Sequence, residues 1–196
     1  LDTLINDPEE KIAEKTVSIL SRMKDDSALK YIMKIARHPS ASIRRMAIKA
    51  MGQSSGNQIP AIFEFIKDPD FTVRKAVLAQ LNQSRNETAE NLLLQYLQNQ
   101  KFDTTENEHI VECFRTLGKC GSLRSLPFLH KTLLHRTWLA FFKKSPYRQG
   151  AALALVALKL PEAQQIIERA GRSIAPGLRG LVREAEKEFL KNKGVR

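Results

Sequence analysis

Three stretches of the chain align without a gap: DPEEKIAEKTVSIL from Asp7, HPSASIRRMAIKAM from His38 and DPDFTVRKAVLAQL from Asp68. A unit that recurs at this interval is one supersecondary element, and it buries its apolar face only by stacking against its own copies. Pro8, Pro39 and Pro69 hold the second position of the three stretches. Proline lacks an amide hydrogen and has a fixed φ, which suits the start of a helix and not its middle. Ile12, Ile43 and Val73 hold the sixth position, Val17, Ile48 and Leu78 the eleventh, and Leu20, Met51 and Leu81 the fourteenth. Steps of five and then three residues keep these side chains near one helical face.

Each stretch is followed by a polar turn, such as Lys24-Asp25-Asp26-Ser27 or Ser54-Ser55-Gly56-Asn57, and then by a second apolar segment, such as Ile59-Ile62-Phe63-Ile66. The unit is therefore two antiparallel helices. No segment sustains the period-two alternation of a strand. The period weakens after residue 100, yet Glu106 to Gly118 still reads as a first helix and Leu123 to Leu134 as its partner. Tyr147-Arg148 stands where Ile43-Arg44 and Val73-Arg74 stood, and Pro161 and Pro176 open two further helices. The expected architecture is all-α: about five hairpins at 7–37, 38–67, 68–100, 101–136 and 137–173, then a C-terminal helix at about 176–190.

The pattern Pro-x-x-x-Ile/Val-Arg, followed by small and large apolar residues, resembles the short bacterial form of the HEAT-repeat family. It is complete in Pro39–Met51 and Pro69–Leu81, has Ala13 in place of the arginine in the first repeat, and is degenerate in the last two hairpins. The resemblance implies a right-handed α-solenoid in a single repeat domain. It also implies that Arg44, Arg74 and Arg148 serve packing between repeats; Pro39 and Pro69, at the helix entrances, are structural repeat positions as well. The tetratricopeptide and ankyrin signatures are absent.

Function classes narrow by elimination. Neither Gly-x-Gly-x-x-Gly nor a Walker-type loop occurs, so phosphate-binding chemistry has no scaffold. His109 and Cys113 share a helical face, but with Cys120 they fall short of the four ligands of a closed zinc site, and buried small residue and turn residue are the simpler readings of the two cysteines. Two cysteines are too few for a disulfide framework and read as reduced thiols, with one disulfide between them left open. His130 and His135 lie on different helical faces and read as surface or groove residues. No His-Glu dipeptide occurs, which argues against the iron-dependent hydroxylases built on this architecture. The glutamates of the basic half, including Glu184, Glu186 and Glu188, read as solvated helix positions. No enzyme activity, cofactor or metal is expected.

The longest apolar run, Ala151 to Leu158, is far shorter than the roughly 20 residues of a transmembrane helix. No secretory leader opens the chain, so a cytoplasmic location is expected. The chain starts at Leu1 within a helix-like pattern, and a piece of a longer protein is expected.

Charge is split unevenly along the chain. Residues 1–120 hold 17 Lys or Arg against 16 Asp or Glu, whereas residues 121–196 hold 15 against 5. A localised positive field follows for the C-terminal part. The same part contains the one interruption of the repeat, His135 to Arg148, with the single tryptophan, Trp138. Aromatic Trp138 and Tyr147 alternate there with Arg136, Lys143, Lys144 and Arg148, and these six form the expected partner-binding set. Insertions in solenoids tend to lie on the binding face. Three partners suit such a set: an acidic protein surface, a nucleic acid stacking on the rings, or anionic headgroups. The alternative is a satellite core in which the rings pack under a long loop. A non-catalytic protein-interaction scaffold with an acidic partner is the leading expectation, and a nucleic-acid-binding module using the same basic surface is the alternative.

Overall fold

The computed structural model describes residues 10–23, 26–54, 57–99, 106–135 and 145–193. The chain divides into two compact units, Leu1–Leu81 and Asn82–Arg196. The first contains α1 (Glu10–Leu20), α2 (Asp26–Ile35), α3 (Ala41–Gln53), α4 (Ile59–Phe63) with a 3-10 turn (Glu64–Lys67), and α5 (Phe71–Leu81). The second contains α6 (Glu87–Asn99), α7 (Asn107–Cys120), a 3-10 turn (Leu123–Ser125), α8 (Leu126–Leu134), α9 (Pro146–Leu158), α10 (Pro161–Gly171) and α11 (Pro176–Lys193). No strand occurs among the described residues, and no helix there is long and apolar enough to cross a membrane.

Helix pairs stack on their sequence neighbours within each unit, as an α-solenoid requires. In the first unit α1, α3 and α5 form one row, with α2 packed against α1 and α3 and α4 against α3 and α5. The repeat positions form its core: Val17, Ile48 and Leu78, and Leu20, Met51 and Leu81, are all buried. The sixth position departs from the pattern once. Ile43 and Val73 are fully buried, but in the first repeat Ala13 is the buried residue and Ile12 is half-exposed.

The first position of the second and third repeats has a role that periodicity does not disclose. The Asp68 carboxylate accepts the backbone N–H of Asp70 (2.8 Å), and His38 Nδ1 accepts that of Ser40 (3.0 Å). Both cap the turn that opens the next helix. Pro39 and Pro69 lie in those turns, two residues before α3 and α5 begin; the prolines that start helices are Pro146, Pro161 and Pro176. Arg44 folds back onto its own turn through the carbonyls of His38 (3.0 Å) and Pro39 (2.7 Å), and Arg74 repeats this with Asp68 (2.6 Å) and Pro69 (3.2 Å). Arg44 also donates twice to Asp68, both at 2.8 Å, joining the second repeat to the third. The implied packing role of these arginines thus has a geometry: each closes its own turn, and Arg44 also reaches the next. Arg74 Nε is buried and has no hydrogen-bond partner among the described residues.

The second unit is built around α9, which packs on α7, α8, α10 and α11. Its sequence, PYRQGAALALVAL, is rich in small residues, and that lets α7 come very close. A Cβ on Gly118 would lie 2.7 Å from both Cα and the carbonyl oxygen of Ala154, and one on Gly150 would lie 2.5 Å from the Phe114 ring. Arg115 bridges Glu112 on its own helix and Glu188 on α11. Glu188 is therefore a half-buried ion-pair partner and not the solvated position expected. Lys159 ends α9 in the left-handed conformation (φ 53°) and sets its ammonium over the Phe189 ring.

Candidate functional site

Phe114 lies fully buried on α7. Phe128 of α8 stacks on it with ring centres 5.8 Å apart and planes within 4°, and Tyr147 of α9 meets it edge-on at 5.8 Å. Three helices thus share one aromatic cluster. Burying a ring of this kind contributes about 1.5–3 kcal/mol, and a well-oriented aromatic pair adds about 0.5–1.5 kcal/mol. Phe128 and Tyr147 are only half-buried, so the cluster shows one side to solvent.

That side is the floor of a groove of about 790 Å³ within the second unit. Leu94 and Leu97 of α6 add to the apolar lining, with Pro127 opposite. The rim is basic: Arg124, Lys131, His135 and Arg148 line it, and none of the described lining residues carries a carboxylate. Arg124, Phe128, Lys131 and His135 are spaced i, i+4, i+7 and i+11 from the 3-10 turn through the end of α8, so they share one face.

The wall is fixed by a carboxylate buried on α6. Glu90 accepts hydrogen bonds from the Ser122 backbone (2.9 Å), the Ser122 hydroxyl (3.1 Å) and the Ser125 hydroxyl (2.6 Å). These three donors satisfy a charge that is 2% exposed, and they hold the turn from which α8 departs. The Asn86 N–H donates to Cys120 O (3.2 Å) at the same junction. Arg124 pairs with Glu87 at the surface. At the other end Arg148 Nε donates to Leu133 O (3.0 Å), tying the start of α9 to the end of α8. The Tyr147 hydroxyl is held above its ordinary pKa, first by burial and then by Cys113 and Glu106, and it stays a neutral donor.

Of the expected partner-binding set, Tyr147 and Arg148 line the groove. Arg136, Trp138, Lys143 and Lys144 lie outside the described residues. The alignment of Tyr147 with Ile43 and Val73 does not extend to burial: those two are sealed, whereas Tyr147 is half-exposed. Pro39, Arg44, Pro69 and Arg74 all belong to the first unit and serve its turns. Sequence reading passed over Leu94, Arg124, Phe128 and Lys131. Their signal was the shared face of Arg124, Phe128, Lys131 and His135.

The remaining candidates for chemistry are occupied structurally. His109 is buried, with Nε2 at 3.1 Å from the Tyr96 hydroxyl and 3.7 Å from Cys113 Sγ. Cys113 and Cys120 are free thiols. Cys120 is the buried last residue of α7 and not the turn residue expected, and burial together with nearby Glu90 pushes its thiol up to about 12. Among the described residues no group of three or more His, Cys, Asp or Glu is placed to hold a metal ion.

Residues 1–58 match the family model described as HEAT repeats. The match covers α1, α2 and α3. No curated protein matches the chain.

Proposed function

We propose that this HEAT-repeat chain is a non-catalytic protein-interaction scaffold that receives an acidic partner on its basic C-terminal half. HEAT repeats are in general protein-interaction scaffolds, and the observation that carries the reading here is the groove. It joins an apolar aromatic floor to a rim of Arg124, Lys131, His135 and Arg148. An aromatic floor supplies the contact area of an interface hot spot, and the rim supplies steering and register for an acidic chain. Arg136, Trp138, Lys143 and Lys144 belong to the same proposed surface on the strength of sequence, because they fall between His135 and Tyr147 in the chain.

One observation favours the nucleic-acid alternative. Arg179, Arg183, Lys187 and Lys191 recur every fourth residue along α11, with Arg183, Lys187 and Lys191 exposed. They form a ladder of charge with steps of about 6 Å on the outer side of the helix. Phosphate binding of that kind weakens steeply with salt. The test measures binding of the full chain to an array of acidic peptides and to short fluorescent DNA and RNA, each at low and physiological salt. The scaffold reading expects peptide binding that survives physiological salt. Nucleic-acid binding with no peptide bound at either salt would overturn it.

A further inference from the structure

We propose that the turn joining α10 to α11 is a membrane-contact tip that seats Ile174 in the headgroup layer of an anionic phospholipid surface; this goes beyond the scaffold reading and does not use the groove. Ile174 is 95% exposed, more than any other large apolar residue among the described residues. Pro176 and Gly177 beside it are also exposed, and a Cβ on Gly177 would meet nothing within 4 Å. The crest of the turn is therefore apolar and open. It is also ordered. The Arg172 and Ser173 N–H groups donate to Glu168 O (3.1 Å) and Ala170 O (3.2 Å), the Ala175 N–H donates to Ser173 Oγ (3.2 Å), and the Leu178 N–H donates to Ala175 O (3.1 Å). A fixed turn presents Ile174, not a loose end.

A collar of cations surrounds the crest. From Arg169 to Arg183 the sequence holds four arginines and no acidic residue. Arg169 and Arg172 precede the crest, Arg179 and Arg183 follow it, and all but the half-buried Arg179 are exposed. At helical rise Arg169 and Arg179 lie roughly 3–5 Å behind the crest, and Arg183 roughly 10 Å. Glu168, next to Arg169, is drawn back along α10 by the Gln164 amide (3.2 Å). These two signals together select the partner. A protein hot spot is a packed centre sealed by its surroundings, and a single projecting side chain ringed by charge offers no such centre. Contacts to nucleic-acid phosphates make no use of an apolar tip, and base stacking needs rings. The one aromatic residue of α10, the turn and α11 is Phe189, roughly 20 Å along α11 and beneath Lys159. A bilayer interface accepts both groups: apolar side chains sink about 5–10 Å toward the acyl boundary while arginines stay among anionic headgroups. Neither signal holds alone, because even a whole myristoyl chain gives only marginal binding. The contact is therefore reversible, specific for anionic lipid and sensitive to salt.

Flotation of the full chain with vesicles tests this, with short RNA as a parallel probe. The vesicles are phosphatidylcholine alone or with about 30% phosphatidylserine, at about 0.1 M salt. Binding is expected on the mixed vesicles only, and is expected to vanish at about 0.5 M salt, where screening shortens to a few ångströms. Ile174→Ser is expected to weaken it roughly tenfold, whereas Ile174→Leu restores it to within about twofold. Arg169→Glu with Arg172→Glu is expected to weaken it at least twentyfold, from about fivefold per cation. Lys187 and Lys191 lie roughly 16–22 Å along α11, beyond the screening length, so reversing both is expected to cost less than about twofold. All these side chains are exposed, and unchanged unfolding midpoints verify that the variants fold. Equal loss from the two double reversals would place binding along α11 and overturns the tip. Failure to bind the mixed vesicles, equal binding to the uncharged ones, indifference to Ile174→Ser, or capture of RNA alone overturns it as well. Peptide binding in the groove is untouched by any of these results, so the scaffold reading stands or falls separately.

Discussion

Glycine-to-alanine replacement inside a helix normally stabilises, and α7 and α11 set up opposite outcomes for the same chemical change. At Gly180 on α11 an added Cβ meets nothing within 4 Å. The variant keeps the gain from a less flexible unfolded chain and better helix propensity, about 0.5–1 kcal/mol. At Gly118 on α7 the same methyl lies 2.7 Å from Cα and O of Ala154 and 2.9 Å from Ala157 Cβ. The two nearest atoms are backbone and cannot rotate away, so α7 and α9 separate by roughly 1 Å to restore ordinary contact. Overpacking of this kind costs about 1–3 kcal/mol against a propensity gain of up to about 1 kcal/mol. The net expectation for Gly118→Ala is a loss of about 1–2 kcal/mol, and the two variants differ by about 1.5–3 kcal/mol. Urea denaturation followed by far-ultraviolet circular dichroism resolves that difference, and each kcal/mol moves the midpoint of thermal unfolding by several degrees in a domain of this size. Gly118→Ala at or above the stability of the parent would refute the close crossing of α7 and α9, and so would shifts of the same sign in both variants.

Two further outcomes follow from buried groups. Asp68→Ala leaves the Arg44 guanidinium, whose side chain is 13% exposed, without its carboxylate, and also strips the cap from Asp70. Removing one member of a buried pair costs about 3–5 kcal/mol, so a loss of about 3 kcal/mol in urea is expected, and a loss below about 1 kcal/mol would contradict the pairing. Cys120 is pushed up to about 12, so its thiol stays protonated and resists alkylation in the native state at pH 8 while reacting after denaturation. The raised value favours the neutral thiol in the fold, so this contribution to stability is complete below about pH 9 and fades as pH climbs toward 12. Rapid native labelling of Cys120 at pH 8 would rule the burial out.

The framework was legible because the repeat writes it twice over. Ile48 and Leu78, Met51 and Leu81 mark the buried face of α3 and α5 by spacing alone, and those helices formed where the spacing put them. The capping role of His38 and Asp68 was in the same alignment, but a cap depends on where one backbone N–H points, and periodicity carries no such direction. The second unit was harder to read. Tyr147 and Arg148 drew attention as the end of the aromatic and basic segment that interrupts the repeat, and they do line the groove. Arg124, Lys131 and Phe128 did not, because each taken singly is an ordinary helix residue. What makes them a wall is α6 lying opposite and Glu90 anchoring the turn between, contacts that join residues more than thirty positions apart. The expectation for Glu188 failed for the same reason: its partner, Arg115, is 73 residues earlier in sequence.

The near-contact of backbones at Gly118 and Gly150 bears on how costly recognition is. Helices that touch through glycine and alanine have almost no side-chain rotamers to freeze at their junction, and Phe114 is already locked by that junction before any partner arrives. In the proposed scaffold role, a segment entering the groove would therefore meet a surface whose conformational entropy was surrendered during folding. Only its own ordering and that of Lys131, Arg124 and His135 remain to oppose association. The glycines of α7 and α9 are not among the described lining residues of the groove, yet in the proposed role they would set the entropic cost of binding there.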